Sequence, residues 1–117
     1  MAWLVRGEDV LAAAEMADSR RAKRRGLMGR DRVEGALVLC GCRNVHTFGM
    51  RFAIDVAFCD RSGLVVYTAT LRPWRVSKVV PRAAFVIEAE AGSLDRWRLR
   101  VGDEVEVRAT RERGPDA

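Results

Sequence analysis

No stretch of this sequence is apolar for long. A helix that crosses a membrane needs about 18 or more consecutive apolar residues, and charged residues interrupt every run well before that length. The amino terminus, Met-Ala-Trp-Leu-Val-Arg, also reaches a charge too early for a secretory signal. We therefore expect a cytoplasmic protein without a membrane span.

Histidine and cysteine, the usual metal ligands, are scarce. Three cysteines, an odd number, in a chain without an export signal indicate free thiols rather than disulfides. Cys40, Cys42 and Cys59 could join His46, the only histidine, in a zinc site, but Cys-x-Cys is not the Cys-x₂-Cys spacing of zinc knuckles. We predict no metal and no cofactor. His46 is then either a strand-end histidine bonded to backbone or the one imidazole available to a ligand site.

Motifs of nucleophilic catalysis and of nucleic-acid recognition are missing as well. No Gly-x-Ser-x-Gly elbow is present, so acyl transfer by an activated serine has little support. Five of the six residues 20–25 are basic, but no aromatic residues for base stacking are interleaved with them, and we expect no specific nucleic-acid binding. The formal charge of +5 permits acidic partners without requiring them.

What the sequence does contain is one clearly alternating strand. Large apolar residues occupy every second position from Met50 to Phe58, and small or charged residues lie between them. Because successive side chains of a strand point to opposite faces, this pattern predicts one bulky apolar face and one small face that carries Asp55. The turn signal Asp-Arg-Ser-Gly and the apolar residues after it complete an antiparallel hairpin over residues 50–71.

Shorter patterns predict the other elements. Strands are expected over residues 3–6, 9–16, 36–40, 83–91 and 104–110, the last with Val105, Val107 and Ala109 pointing inward. Two short helices are expected over residues 20–25 and 92–97, and an irregular loop over residues 72–81. The fold class is therefore mainly β (α+β in the broad sense). We expect a single domain over residues 1–110 and a flexible tail over residues 111–117.

Four blocks of the sequence resemble a known family. The blocks are Arg25-Gly26-Leu27-Met28 with Arg30, residues 48–65 with Gly-Met50-Arg51 and Ile54-Asp55, Val86-Ile87-Glu88 with Gly92, and Gly102-Asp103. In this order and spacing they are similar to the bacterial and archaeal family called domain of unknown function 192. The resemblance implies a compact, barrel-like antiparallel β domain with one or two short helices and no established activity. It also implies that Gly26, Leu27, Met28, Met50, Gly102 and Asp103 form the structural motif.

Asp55 is the first candidate for chemistry. It lies between two alanines on a face with little bulk, and burying its carboxylate unpaired would cost several kcal/mol. Arg51 is four strand residues away, about 13 Å, and cannot reach it, so Arg25 or Arg30 is the expected partner. The pair is either a structural ion pair between helix and sheet or, together with Arg51 and His46, part of a site for an anion or an amine.

Three functions follow from these candidates. The favoured one is a non-enzymatic module that binds a small anionic or peptide-like ligand in a groove near Arg51, Asp55 and residues 72–81. The second is an enzyme with Asp55 as base, Arg51 as anion clamp and His46 in support. The third is a structural or assembly partner in an envelope or pilus-related system, which the family resemblance alone suggests.

Overall fold

Residues 2–17 and 33–109 are described by a computed structural model, in which seven strands form one β-sheet. In chain order they are β1 (Ala2–Arg6), β2 (Asp9–Met16), β3 (Ala36–Cys40), β4 (Ile54–Cys59), β5 (Val65–Leu71), β6 (Phe85–Glu90) and β7 (Glu106–Ala109), with one helix, α1 (Ser93–Trp97), between β6 and β7. The order across the sheet is β5-β4-β6-β3-β2-β1-β7. The prediction of a β-rich domain is therefore confirmed.

The hairpin predicted over residues 50–71 is present, and the predicted strands over residues 3–6 and 9–16 form a second one. β1 pairs antiparallel with β2, and β4 pairs antiparallel with β5. The turn between β4 and β5 is held by the Asp60 carboxylate, which accepts hydrogen bonds from the amides of Ser62 (2.9 Å) and Leu64 (3.0 Å). Gly63 follows at φ +89°, and a Cβ there would overlap the carbonyl oxygen of Val105. This turn therefore requires glycine.

The sheet is open rather than a closed barrel, which corrects the barrel-like prediction. The two edge strands, β5 and β7, do not pair with each other. Only the residues just before them, Leu64 and Glu104, form an isolated bridge in the described part of the chain. The sheet is also not purely antiparallel, since β2 and β3 run parallel. The chain between these two strands is long enough for the crossover that parallel pairing needs.

Strand β4 begins later than its alternating pattern predicts. Met50 lies before the strand, because its amide closes a turn on the carbonyl of Thr47 (3.1 Å) and Gly49 takes φ +78° in that turn. The bulky side chains nevertheless share one side, since Met50 and the half-buried Phe52 pack with the same core as β4. The prediction of a strand from Met50 is thus wrong in its start, while the shared side of the apolar residues is confirmed.

Two core clusters cover the two faces of β4, so the small face is not an open groove along its length. The first cluster contains Leu37, Leu39, Met50, Ile54, Val56, Phe58 and Val86, among others. The second contains Leu4, Val38, Ala57, Cys59, Val65, Ile87, Leu94 and Val105, among others. Every residue of β4 is buried. A strand covered on both sides in this way is a central strand, and it fixes where Asp55 can point.

The carboxyl-terminal elements follow the prediction with one exception. Helix α1 lies within the predicted residues 92–97, and Gly102 forms a turn at φ +99°. Before β7, Val105 is buried as expected, but Val107 is half-buried and Ala109 is exposed. The inward prediction fails for Ala109, the last residue of β7, because the second core cluster extends to Val107 and not to Ala109.

Several predictions fall outside the described residues. They are the helix over 20–25, the partners Arg25 and Arg30, the motif Gly26-Leu27-Met28 and the tail over 111–117. In the part of the chain that the structure describes, no helix combines the length and the apolar character needed to cross a membrane.

Candidate functional site

Asp55 caps helix α1 from the neighbouring sheet. One carboxylate oxygen accepts a hydrogen bond from the Thr70 hydroxyl (2.7 Å), and the other accepts from the amides of Gly92 (2.9 Å) and Leu94 (3.1 Å). The first amides of a helix lack partners within the helix, and the N-cap residue of α1 is a glycine without a side chain to supply one. Asp55 supplies the acceptor instead. The Asp55 side chain is only 4% exposed, and its hydrogen bonds connect β4 with β5 and α1.

Asp55 and the other candidates do not share one groove. The cleft that Asp55 lines measures about 260 Å³ and lies against α1, with Arg98 and Arg100 on its rim. Neither His46 nor Arg51 is among the described residues that line it. Arg51, Asp55 and residues 72–81 therefore do not line the single groove that was predicted for them. Asp55 lines the cleft against α1, and none of residues 72–81 lines that cleft.

The loop over residues 72–81 is attached to residues 43–48 by main-chain hydrogen bonds. His46 and Val76 form an isolated antiparallel bridge. The Thr47 amide donates to the carbonyl of Arg75 (2.8 Å), and the Thr47 hydroxyl donates to the carbonyl of Arg72 (2.6 Å) and accepts from the amide of Arg75 (2.8 Å). Thr47 is fully buried. The loop is irregular, as predicted, but it is anchored.

We expect a Thr47→Val variant to loosen this anchor. Valine keeps the shape of threonine but leaves the carbonyl of Arg72 and the amide of Arg75 without their side-chain partner, which costs about 1–2 kcal/mol of unfolding free energy. Chemical denaturation measures that loss, and faster proteolysis within residues 72–81 would accompany it. Unchanged stability and unchanged proteolysis would show that Thr47 does not hold the loop.

The two anchored segments present three exposed rings. His46 stacks on Phe48 with ring centroids 4.9 Å apart, and Phe48 contacts Trp74 at 6.0 Å. Phe48 is 42% exposed and Trp74 is 64% exposed. We call these three residues the aromatic surface. His46 also accepts a hydrogen bond from the Phe48 amide through Nδ1 (3.3 Å), which is the backbone-bonded geometry considered for it from the sequence.

Trp74 is both strained and exposed. Its φ is +63°, in the left-handed region where a residue with a Cβ costs about 1–2 kcal/mol. Glycine would avoid this cost, and a large apolar ring in water brings no compensating burial. Strain of this kind recurs at binding sites, where the surrounding structure fixes a residue in a conformation that it would not choose.

The same two segments carry only positive charge. Residues 43–48 and 72–81 contain four basic side chains and no acidic one, and all four are exposed. They are Arg43, Arg72, Arg75 and Lys78, and the exposed Arg51 follows the first segment three residues later. Lys78 also lies over the ring of Tyr67, 4.2 Å from its centroid. The segments that carry the aromatic surface are therefore positively charged, which favours a negatively charged ligand.

The cysteines and His46 are not brought together. Cys59 faces the second core cluster and is fully buried, whereas His46 is exposed. Burial, and then the charge of Asp60, raise the pKa of the Cys59 thiol to about 12, so the thiolate that zinc requires is disfavoured. No group of three or more metal-ligating side chains assembles within residues 2–17 and 33–109.

Glu88 is a buried acid that the sequence reasoning used only as part of a motif. It lies on β6 opposite Val56 and Leu37, two members of the first core cluster, and is 4% exposed. Burial raises the pKa of its carboxyl from 4.5 to about 7. Folding is therefore coupled to proton uptake at Glu88 between these two pH values.

Phe48 and Trp74 were missed as site residues, although the sequence contained a signal for them. Phe48 and Trp74 lie in the two longest stretches of the sequence without an acidic residue, residues 35–54 and 61–87. The two segments lie side by side because the hydrogen bonds of Thr47 join them, and no pattern of residue spacing in the sequence predicts those bonds.

Comparison with known proteins identifies the family. Residues 3–107 match the family domain of unknown function 192, described as "Uncharacterized ACR". A UPF0127 protein from Thermococcus sibiricus is 33% identical over 105 residues, covering 85% of this chain and 68% of that protein. A UPF0127 protein from Pyrococcus abyssi is 42% identical over 62 residues, covering 53% of each chain. The chain thus spans about half the length of this second relative.

The fold is similar to a solved structure as well. A crystal structure of a protein of unknown function from Novosphingobium aromaticivorans matches with a TM-score of 0.75 at 16% identity, covering 90% of this chain and 82% of that one. The resemblance was to a family with bacterial and archaeal members. The two relatives by sequence are archaeal, so they do not support a bacterial origin for this chain. Because the family match extends over nearly the whole sequence, this chain belongs to the domain of unknown function 192 family.

Proposed function

We propose that this protein is a non-enzymatic binding module whose aromatic surface binds an acidic, peptide-like ligand. The observation that carries the proposal is Trp74, a large ring in a left-handed conformation with 64% of its area exposed. An arrangement that costs stability and buries little is explained by a ligand that covers the ring. Tryptophan is also among the residues that contribute most to binding at protein interfaces.

The charge around the rings selects the sign of the ligand. Arg72, Arg75 and Lys78 are exposed on the loop that carries Trp74, and Arg51 is exposed three residues after Phe48. Residues 43–52 and 72–81 contain no acidic residue, so an acidic segment meets complementary charge there. We propose Arg51 as one of the four anion contacts. Asp55 has no role in this proposal, because its oxygens are engaged by Thr70 and by the amides of α1.

The enzyme alternative is less well supported than the binding module. A general base needs a lone pair directed at the substrate, whereas Asp55 is buried and accepts three hydrogen bonds. The proposed anion clamp, Arg51, does not line the cleft of Asp55.

An assembly role in an envelope or pilus-related system is not favoured by any described contact. The cytoplasmic location remains a prediction, and the free thiols of Cys40, Cys42 and Cys59 support it.

Pools of synthetic peptides with acidic, neutral or basic net charge test the proposal. We expect the immobilised protein to retain the acidic pool, and a Trp74→Gly variant to retain it at least about tenfold less well, as for loss of a central interface aromatic. Glycine relieves the strain at φ +63°, so the stability of this variant should stay within about 1 kcal/mol of the parent. Loss of binding without loss of stability is the combination that indicates a ligand-contacting residue.

A Val10→Ala variant is the matched control. Val10 is 60% exposed on β2 and belongs to neither anchored segment, so removing its apolar surface should leave peptide retention unchanged. Equal retention of acidic and basic pools, or equal retention by the parent and Trp74→Gly, would rule out the aromatic surface as the binding site.

A further inference from the structure

A second basic feature lies at the opposite end of the anchored segments. Three arginines from three different connections, Arg43, Arg61 and Arg82, line a cleft of about 740 Å³. We call it the arginine cleft. It lies within the size range of small-molecule sites, which measure about 300–1,000 Å³. Neither Phe48 nor Trp74 is among the described residues that line it.

The walls of the arginine cleft are fixed by main-chain hydrogen bonds. The amide of Gly41 donates to the carbonyl of Ala84 (2.7 Å), and the amide of Val80 donates to the carbonyl of Arg43 (2.7 Å). The amide of Ala84 donates in turn to the carbonyl of Cys59, the last residue of β4 (2.7 Å). The connections that carry Arg43 and Arg82 are therefore tied to each other and to the sheet, so the positions of their backbones are set before any ligand arrives.

One carboxylate, Asp60, offsets part of the positive charge. Its Oδ2 lies 3.8 Å from a guanidinium nitrogen of Arg82, while its Oδ1 accepts hydrogen bonds from the hydroxyl of Ser62 (2.7 Å) and from the amides of Ser62 and Leu64. The hydrogen bond from the Ser62 hydroxyl is the main cause that lowers the pKa of Asp60, so it stays ionised. Three cations and one anion leave a surplus of two positive charges at the cleft.

We propose that the arginine cleft binds a small phosphoryl-bearing anion. The guanidinium group presents a planar fork of donors that matches the oxygens of a phosphoryl group, and arginine is the residue most used for that purpose. The surplus of two charges matches a dianion or a more highly charged phosphate ester better than a single carboxylate. The volume admits a pyrophosphate with an organic substituent. This site is separate from the aromatic surface and does not depend on the peptide-binding proposal.

Isothermal titration calorimetry with inorganic phosphate and pyrophosphate tests the site. The ionic strength is kept near 0.15 M, at which exposed charges beyond about 8 Å are screened, so that net charge alone contributes little. We expect pyrophosphate to bind more tightly than phosphate, and both more tightly than acetate. Arg61→Gln and Arg82→Gln should each weaken pyrophosphate binding by about tenfold to a hundredfold, as for loss of a charge-assisted hydrogen bond.

Arg108→Gln is the matched control, because it removes one positive charge from exposed β7, outside the lining of the cleft. It should bind pyrophosphate as the parent does. The proposal is overturned if pyrophosphate gives no heat of binding, or if Arg108→Gln weakens binding as much as Arg61→Gln. Trp74→Gly should bind pyrophosphate normally, so failure of this site and failure of the aromatic surface are seen in different experiments.

Discussion

An Asp55→Ala variant is expected to lose about 3–5 kcal/mol of unfolding free energy. The substitution leaves the amide of Leu94 without an acceptor in a buried position, and it also removes the partner of the Gly92 amide and of the Thr70 hydroxyl. Each unsatisfied buried group costs about 1–3 kcal/mol, and bonds to a charged acceptor are at the upper end. Denaturant unfolding followed by circular dichroism measures the loss.

Two further variants separate the cap from the charge. In Asp55→Asn the amide oxygen can accept from Gly92 and Leu94 while its NH₂ group donates to Thr70, so the loss should fall to about 1–2 kcal/mol. Asp95→Ala removes an exposed carboxylate from α1 and should change stability by about 0.5 kcal/mol or less. An Asp55→Ala variant as stable as Asp95→Ala would show that the cap is not structural and would restore Asp55 as a candidate for ligand binding.

A Glu88→Gln variant is expected to be more stable than the parent above neutral pH. The pKa of the Glu88 carboxyl is about 7 in the folded protein, raised from 4.5 by burial. Below pH 4.5 folded and unfolded chains both hold the proton, and the full stability is present. Between pH 4.5 and about pH 7 only the folded chain holds the proton, so the free energy of unfolding falls as the pH rises. It levels off once the pH has passed about 7. At about 1.4 kcal/mol per pH unit over these roughly 2.5 units, the loss amounts to about 3 kcal/mol.

Glutamine resembles the protonated acid at every pH and should abolish this loss. Its advantage over the parent should therefore appear at pH 8 and disappear at pH 4, as seen in denaturant midpoints at the two pH values. Glu90→Gln is the matched control, since Glu90 lies two residues along β6 on the same face but is exposed. Parallel stability profiles for the parent and Glu88→Gln from pH 4 to pH 8 would contradict a protonated, buried Glu88.

Local structure could be predicted from the sequence because local chemistry determines it. The turn at Asp60 and Gly63 needs a side-chain acceptor and a positive φ, and both residue types are visible in the sequence. The alternation from Ile54 to Phe58 likewise follows from the two faces of a strand. The start of β4 could not be predicted, because Met50 continues the alternating pattern although its backbone belongs to a turn closed on Thr47.

The candidate site was less predictable, because it depends on contacts between distant residues. The arginine partners expected for Asp55, Arg25 and Arg30, lie outside the described residues. The partners that the structure shows are a threonine and two backbone amides, and amides carry no sequence signal. Trp74 is far in sequence from the basic run over residues 20–25 and stands in no nucleic-acid-binding motif. The bridge between His46 and Val76 places it beside Phe48, 26 residues away in the chain.

An NMR titration locates the binding surface most directly. The ¹⁵N-labelled protein is titrated with the acidic peptide pool, and amide shifts are mapped onto residues 2–17 and 33–109. We expect shifts concentrated at His46, Phe48 and residues 74–79, with the cleft beside Asp55 unaffected. Shifts centred on Asp55, Thr70 and α1 would contradict the assignment of ligand binding to the aromatic surface. The assignment would also be contradicted if the acidic pool, like the basic pool at the same concentration, shifted no amide.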